Sequence, residues 1–138
     1  MTQLDSWAPR VLSILRIMTA LLVIAHATTK FFGFPTAMPG PLPGIIVAAG
    51  VIELVTGTLI ALGLFTRPAA FLASGTMAAA YFMGHAPQSF WPIVNQGEAA
   101  IMFCFVFFYL IFAGPGSWSL DALLRGRRNG DAAAATRT

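Results

Sequence analysis

Apolar and polar positions fall along this chain in long blocks rather than in residue-by-residue alternation. Four apolar stretches stand out, at about Val11–Phe32, Gly44–Phe65, Pro68–His85 and Gly97–Ala113. A hydrocarbon layer about 30 Å thick takes roughly 20 apolar residues in helical form. The first two stretches meet that length. The last two are short for it, which local thinning or snorkelling side chains would accommodate. Pro68 suits the first turn of a helix, and Gly114-Pro115-Gly116 stops the fourth stretch. The pattern predicts an all-α fold: an integral membrane four-helix bundle with short amphipathic terminal segments. Its parts are an N-terminal interfacial segment over 1–10, the transmembrane domain over 11–116, an amphipathic helix over 117–126 and a disordered tail over 127–138. In the amphipathic helix Ser119 is the expected N-cap, with Asp121 in the first turn and arginines at the end. Trp118, Leu120, Leu123 and Leu124 form its apolar face, suited to a membrane surface.

Composition and charge support a membrane class. Hydrophobic residues make up 57% of the chain and charged residues 9%, against about 25% charged in soluble domains. The net charge of +3 does not point to nucleic acid, because the basic residues are not gathered on an element that could enter a groove. They lie instead at the ends of the apolar stretches. Arg10, Arg16, Arg67, Arg125, Arg127, Arg128 and Arg137 fall on one side and only Lys30 on the other. Basic residues favour the cytoplasm, so both termini are expected there. The first apolar run is too long for the core of a cleaved signal. Cys104 is the single cysteine, which argues against a dithiol redox pair within the chain.

Polar groups inside the apolar stretches carry the functional signal. An ionisable group deep in a bilayer costs about 2.5–3.5 kcal/mol and normally faces the bundle interior with a partner. Glu53 is the clearest case. At about 1.5 Å of rise per residue, Arg16 lies roughly 8 Å from the inner end of its span, Glu53 roughly 17 Å, His26 roughly 22 Å and His85 roughly 25 Å. His26 and Arg16 are therefore the expected neighbours of Glu53. Lys30, His85, Asn95, Gln96 and Glu98 form a second group near the outer surface. Its plainer reading is a Lys30–Glu98 ion pair on a capped helix; its sharper one is the mouth of a ligand pocket. Axial haem ligation by His26 and His85, or a metal held by them with Glu53 or Glu98, are weaker readings, and no intrinsic cofactor is expected.

The same residues resemble those of the DoxX family of small four-span bacterial membrane proteins. The resemblance rests on Arg16 with Lys30-Phe31-Phe32-Gly33, on Glu53-Leu54-Val55-Thr56-Gly57 running to Leu62-Gly63-Leu64-Phe65-Thr66-Arg67, on Asn95-Gln96-Gly97-Glu98, and on Gly114-Pro115-Gly116-Ser117-Trp118-Ser119-Leu120-Asp121. It covers about residues 11–124. It implies a multi-pass protein of the bacterial inner membrane with a link to redox chemistry. Relatives include a membrane subunit of thiosulfate:quinone oxidoreductase, members associated with thiol and oxidative-stress enzymes, and a more distant eukaryotic cargo receptor. It carries over Arg16, Glu53, Asn95 and Glu98 as candidate site positions.

Three functions follow as expectations. The first is a membrane subunit that binds a quinone or quinol and serves a partner oxidoreductase. Phe31, Phe32, Phe34 and Phe82 would wall the slot, and His26, Glu53 or Arg16 would meet the head group. The second is a non-enzymatic scaffold in which Arg16 and Glu53 hold spans together. The third is a small transporter-like or lipid-binding protein, which would need an oligomer. The expected partners are the lipid bilayer and a second protein or further copies of the chain.

Overall fold

The computed structural model describes the backbone of residues 3–135 and the side chains of residues 3–127. Among these residues the fold is all-helical, with no strand. Helix α1 runs Gln3–Phe32, α2 Gly44–Leu62 and α3 Thr66–Ala80, which continues into a π-helical turn at Tyr81–His85. A short α4 (Pro92–Asn95) precedes α5 (Glu98–Ala113), and α6 (Leu120–Ala135) closes the described chain. The apolar blocks thus become helices, and α5 opens on Glu98, whose charge favours the positive end of the helix dipole.

The terminal segments differ from expectation. Residues 3–10 are not a separate interfacial piece but the first turns of α1. Pro9 removes one backbone N–H from that helix, yet its carbonyl accepts the Ser13 hydroxyl at 2.9 Å and the Ser117 N–H at 3.2 Å. At the other end Ser119 caps α6 as expected, accepting the Ala122 N–H at 3.2 Å. That helix starts at Leu120 rather than 117, and it runs through most of the segment read as a disordered tail. The alanines that make this stretch look low in complexity are also the best helix formers. Residues 1, 2 and 136–138 lie outside the described residues.

Helix α1 packs along α2, α3 along α5 and α2 against α3, while α1 touches α5 lightly. The α1–α2 seam is small and polar, with Ser13, Arg16, Thr19, Ala20, Val23 and Ala27 facing inward from α1 and Gly50, Glu53, Thr56, Gly57 and Ile60 from α2, while Met77 of α3 and Phe107 and Leu110 of α5 join Val23 and Ile60 in an apolar core. Most large apolar side chains point outward, among them Leu21 and Leu22 on α1, Val51 and Val55 on α2, Phe71 on α3, and Phe105 and Phe112 on α5. A soluble domain does not expose apolar surface on this scale. Helices α1 and α2 are long and apolar enough to cross a membrane, and α5 is apolar but only 16 residues long.

Candidate functional site

Contacts along the α1–α2 seam fix how the two antiparallel helices pass. Phe31 and Lys30 lie over Gly50, Ile24 lies over Gly57, and Arg16 reaches the carbonyls of Ile60 and Ala61. A Cβ at Gly50 would stand 2.8 Å from the Phe31 ring and 3.1 Å from Lys30 Cδ. Glycine there lets the lysine stem cross the face of α2 and drop one helical turn to Glu53. The end of α1 is therefore level with Gly50, and the first turns of α2 project beyond it.

Lys30 and Glu53 form an ion pair between Nζ and Oε2. The Lys30 side chain is 13% exposed and that of Glu53 5%. This replaces the expected Lys30–Glu98 pair: Glu98 is exposed and has no ion-pair partner among the described residues. It also replaces the expected partners of Glu53. His26 sits at a similar level to Glu53 but points to another face, edge-on to Phe103 of α5 with ring centroids 5.9 Å apart. An ammonium beside a carboxylate, shielded from water, can hold a carbonyl oxygen and can take up or return a proton.

Arg16 is fully buried at the opposite end of the seam. Its Nε donates to the Pro115 carbonyl at 2.8 Å, Nη1 to those of Ile60 and Ala61, and Nη2 to that of Trp118 at 2.5 Å. The last carbonyls of a helix lack the N–H groups of a following turn; that of Ile60 accepts the capping Gly63 N–H at 3.0 Å, and a guanidinium with five N–H groups suits the acceptor capacity that remains. Arg16 thus ties α1 to the end of α2 and to the Gly114–Ser119 segment. Ser13 adds to the knot, accepting the Trp118 N–H at 3.0 Å.

Asp121 completes it. Its carboxylate accepts the N–H groups of Phe65 at 2.9 Å and Thr66 at 3.0 Å, and its own N–H donates to the Gly63 carbonyl at 2.9 Å. A side chain in the first turn of α6 therefore caps the start of α3. Partial burial pushes the Asp121 carboxyl up, but the donors of Thr66 and Phe65, with Arg125 nearby, outweigh it and hold the group below its usual value. Asp121 lies in the first turn of its helix as expected, but its capping of α3 is a role the local sequence does not show. The nearby Gly63, a helix-ending residue, was the available signal.

The outer group divides. His85 Nδ1 lies 2.9 Å from the Asn95 carbonyl, and its ring stacks on Tyr81. The Asn95 amide is spent on its own loop, donating to the Ser89 carbonyl and accepting the Gly97 N–H, each at 2.8 Å. Among the described residues the structure does not gather His26, His85, Glu53 and Glu98 into a metal-binding group. Cys104 packs beside Ser74, which donates to its carbonyl at 3.0 Å.

Residues 11–86 match the DoxX family. An uncharacterized protein of Haemophilus influenzae is 42% identical over 128 residues, covering 88% of this chain and 96% of its own length. An uncharacterized membrane protein of Mycobacterium tuberculosis is 29% identical over 133 residues, covering 82% of this chain and 80% of its own. No solved structure matches the chain.

Proposed function

Since the chain belongs to the DoxX family of membrane proteins, we propose that it is a four-span subunit of the bacterial inner membrane that serves a partner oxidoreductase and binds a quinone or quinol at the Lys30–Glu53 pair. The four-helix bundle and the placement of both termini in the cytoplasm rest on two observations. Large apolar side chains cover the outside of α1, α2, α3 and α5. The side chains of Arg10, Arg16, Arg67, Arg125 and Arg127 belong to the end where α6 docks, while Lys30 belongs to the other.

The buried Lys30–Glu53 pair carries the ligand reading. Charges at this depth are expensive, and replacing a buried pair with well-packed apolar residues is often neutral or stabilising. A pair kept in this position therefore suits a task. Lys30 would donate to a quinone carbonyl, Glu53 would exchange the proton of a quinol hydroxyl, and Phe31 across Gly50 offers an apolar wall beside them. Electrons would come from the partner. Equilibrium binding of a short-chain quinone to the purified protein, with E53Q and K30Q alongside, tests this. Binding that both variants retain at wild-type strength ends the proposed role.

A second reading, the non-enzymatic scaffold, draws on the bonds of Arg16 to four internal carbonyls and of Asn95 to its own loop. Under it the polar interior only fastens helices. E53Q would then lower stability and recovery of the partner, with no quinone bound by either protein.

A further inference from the structure

Three open grooves that share lining residues run from the α6 end of the molecule along the α3–α5 seam. The first, about 450 Å³, lies where α1, the α5 terminus and α6 meet, and is lined by Pro9, Leu12, Tyr109 and two arginines, Arg67 and Arg125. Arg67 also borders the second, about 680 Å³, which Phe71, Leu72, Ile111 and Phe112 line. Phe71, Leu72 and Ile111 continue into the third, about 440 Å³, which reaches Gly75 and Ala79 along the α3–α5 seam. The track is thus cationic at one end and apolar for the rest.

We propose that this track binds one anionic phospholipid of the cytoplasmic leaflet, its phosphate between Arg67 and Arg125 and an acyl chain along the α3–α5 seam. The dimensions fit. From Arg67 to Ala79 the helix rises about 18 Å, close to the roughly 15 Å of one leaflet's share of the hydrocarbon core. The charge fits as well. Arg67 donates one Nη1 bond to the Ile111 carbonyl at 2.6 Å, which fixes its guanidinium at the head of the seam with other donors free. Asp121 is the acid whose charge bears on Arg125, but its oxygens already accept two backbone N–H groups. Tyr109, exposed one turn before the end of α5, stands at the level where amphipathic rings meet head groups. Basic pockets between helices on this side of a membrane are suited to anionic head groups. The inference rests on the membrane placement proposed above but not on the quinone reading.

The test uses the full chain purified in an uncharged detergent. Native mass spectrometry and thermal unfolding are followed with phosphatidylglycerol, phosphatidylcholine or inorganic phosphate. Phosphatidylglycerol is expected to be retained and to raise the unfolding temperature, and the other two are not. R125Q is expected to weaken retention about fivefold, the scale of one basic residue near a lipid surface. Because R67Q also loses the Ile111 bond, G75F serves as the independent variant. A Cβ at Gly75 meets nothing within 4 Å, so the larger side chain enters the groove and should displace the acyl chain while the fold stands. E53Q should bind the lipid as wild type does, which separates this site from the quinone reading. Equal retention of phosphatidylcholine, equal stabilisation by phosphate alone, or R125Q and G75F both binding as wild type would overturn the proposal. Solubility of the chain without detergent would overturn it together with the membrane placement.

Discussion

Lys30 reaches Glu53 across Gly50, so the ion pair joins the last turn of α1 to the middle of α2. The two residues are not at matching distances from the ends of their helices. Lys30 stands two residues from the end of α1, and Glu53 lies nine residues into α2. The lysine stem covers the difference by lying along the glycine surface with its ammonium drawn inward.

Removing one partner of this pair leaves the other charge buried without compensation. Such losses cost about 3–5 kcal/mol. E53Q and K30Q are each expected to lower the thermal unfolding temperature in detergent. The double variant K30Q/E53Q should recover part of the loss. Calorimetry or fluorescence-monitored unfolding of the four proteins gives the coupling directly. Strict additivity of the two single losses would mean the pair does not act as a unit.

The α-helical blocks, the start of α5 at Glu98 and the Ser119 cap were legible from periodicity, hydropathy and capping chemistry, because each depends on neighbours in sequence. The partners of the charges were not. Depth counting assumed that the inner ends of the first two spans are level, whereas Phe31 packs at Gly50 and Ile24 at Gly57, so the helices are staggered. The same assumption sent Arg16 toward Glu53. Its acceptors are instead the terminal carbonyls of α2 and those of Pro115 and Trp118, about a hundred residues away in sequence. The His26 ring meets Phe103 instead of Glu53, because depth along a helix does not say which face of α1 a side chain occupies. The link between Asp121 and α3 needs the return of the chain after Gly114, which no local pattern encodes.

Arg16 holds the end of α2 and the segment leading to α6 through one guanidinium. Lysine supplies the charge but not the planar fork of donors, so R16K is expected to free the Pro115 and Trp118 carbonyls. The C-terminal helix should then detach before the rest unfolds. Limited trypsin digestion would show this as faster cleavage at Arg125 and Arg127 in R16K than in wild type, with α1 to α5 still protected. Equal cleavage rates would place the anchoring of α6 elsewhere.

Gly63 has φ +67°, and a Cβ there would press on the Cα of Ser119 at 2.9 Å. Left-handed backbone costs a residue with a side chain about 1–2 kcal/mol, and overpacking typically adds about 1–3 kcal/mol. Because the collision is with backbone rather than a movable side chain, G63A should approach the sum of the two. G75A, where the added methyl meets open space, serves as the control and should unfold close to wild type. Comparable losses in both variants would show that the α2–α6 contact is not tight in solution.

Asp121 gives the docking of α6 a defined pH dependence. Its carboxyl is held below the usual 3.8 in the folded protein, so the folded state favours the charged form. The resulting stability is fully present above the unfolded value and is lost as pH falls through the lower folded value. D121N should therefore be less stable than wild type at neutral pH, since the amide cannot accept the Phe65 and Thr66 N–H groups with a full negative charge. The gap between the two proteins should stay constant from pH 7 down to about pH 5 and close below about pH 4, as the wild-type carboxylate takes up its proton. Unfolding temperatures of both proteins across that range measure the gap. A gap that persists unchanged at the acid end would mean the charge of Asp121 is not what holds α6 to the start of α3.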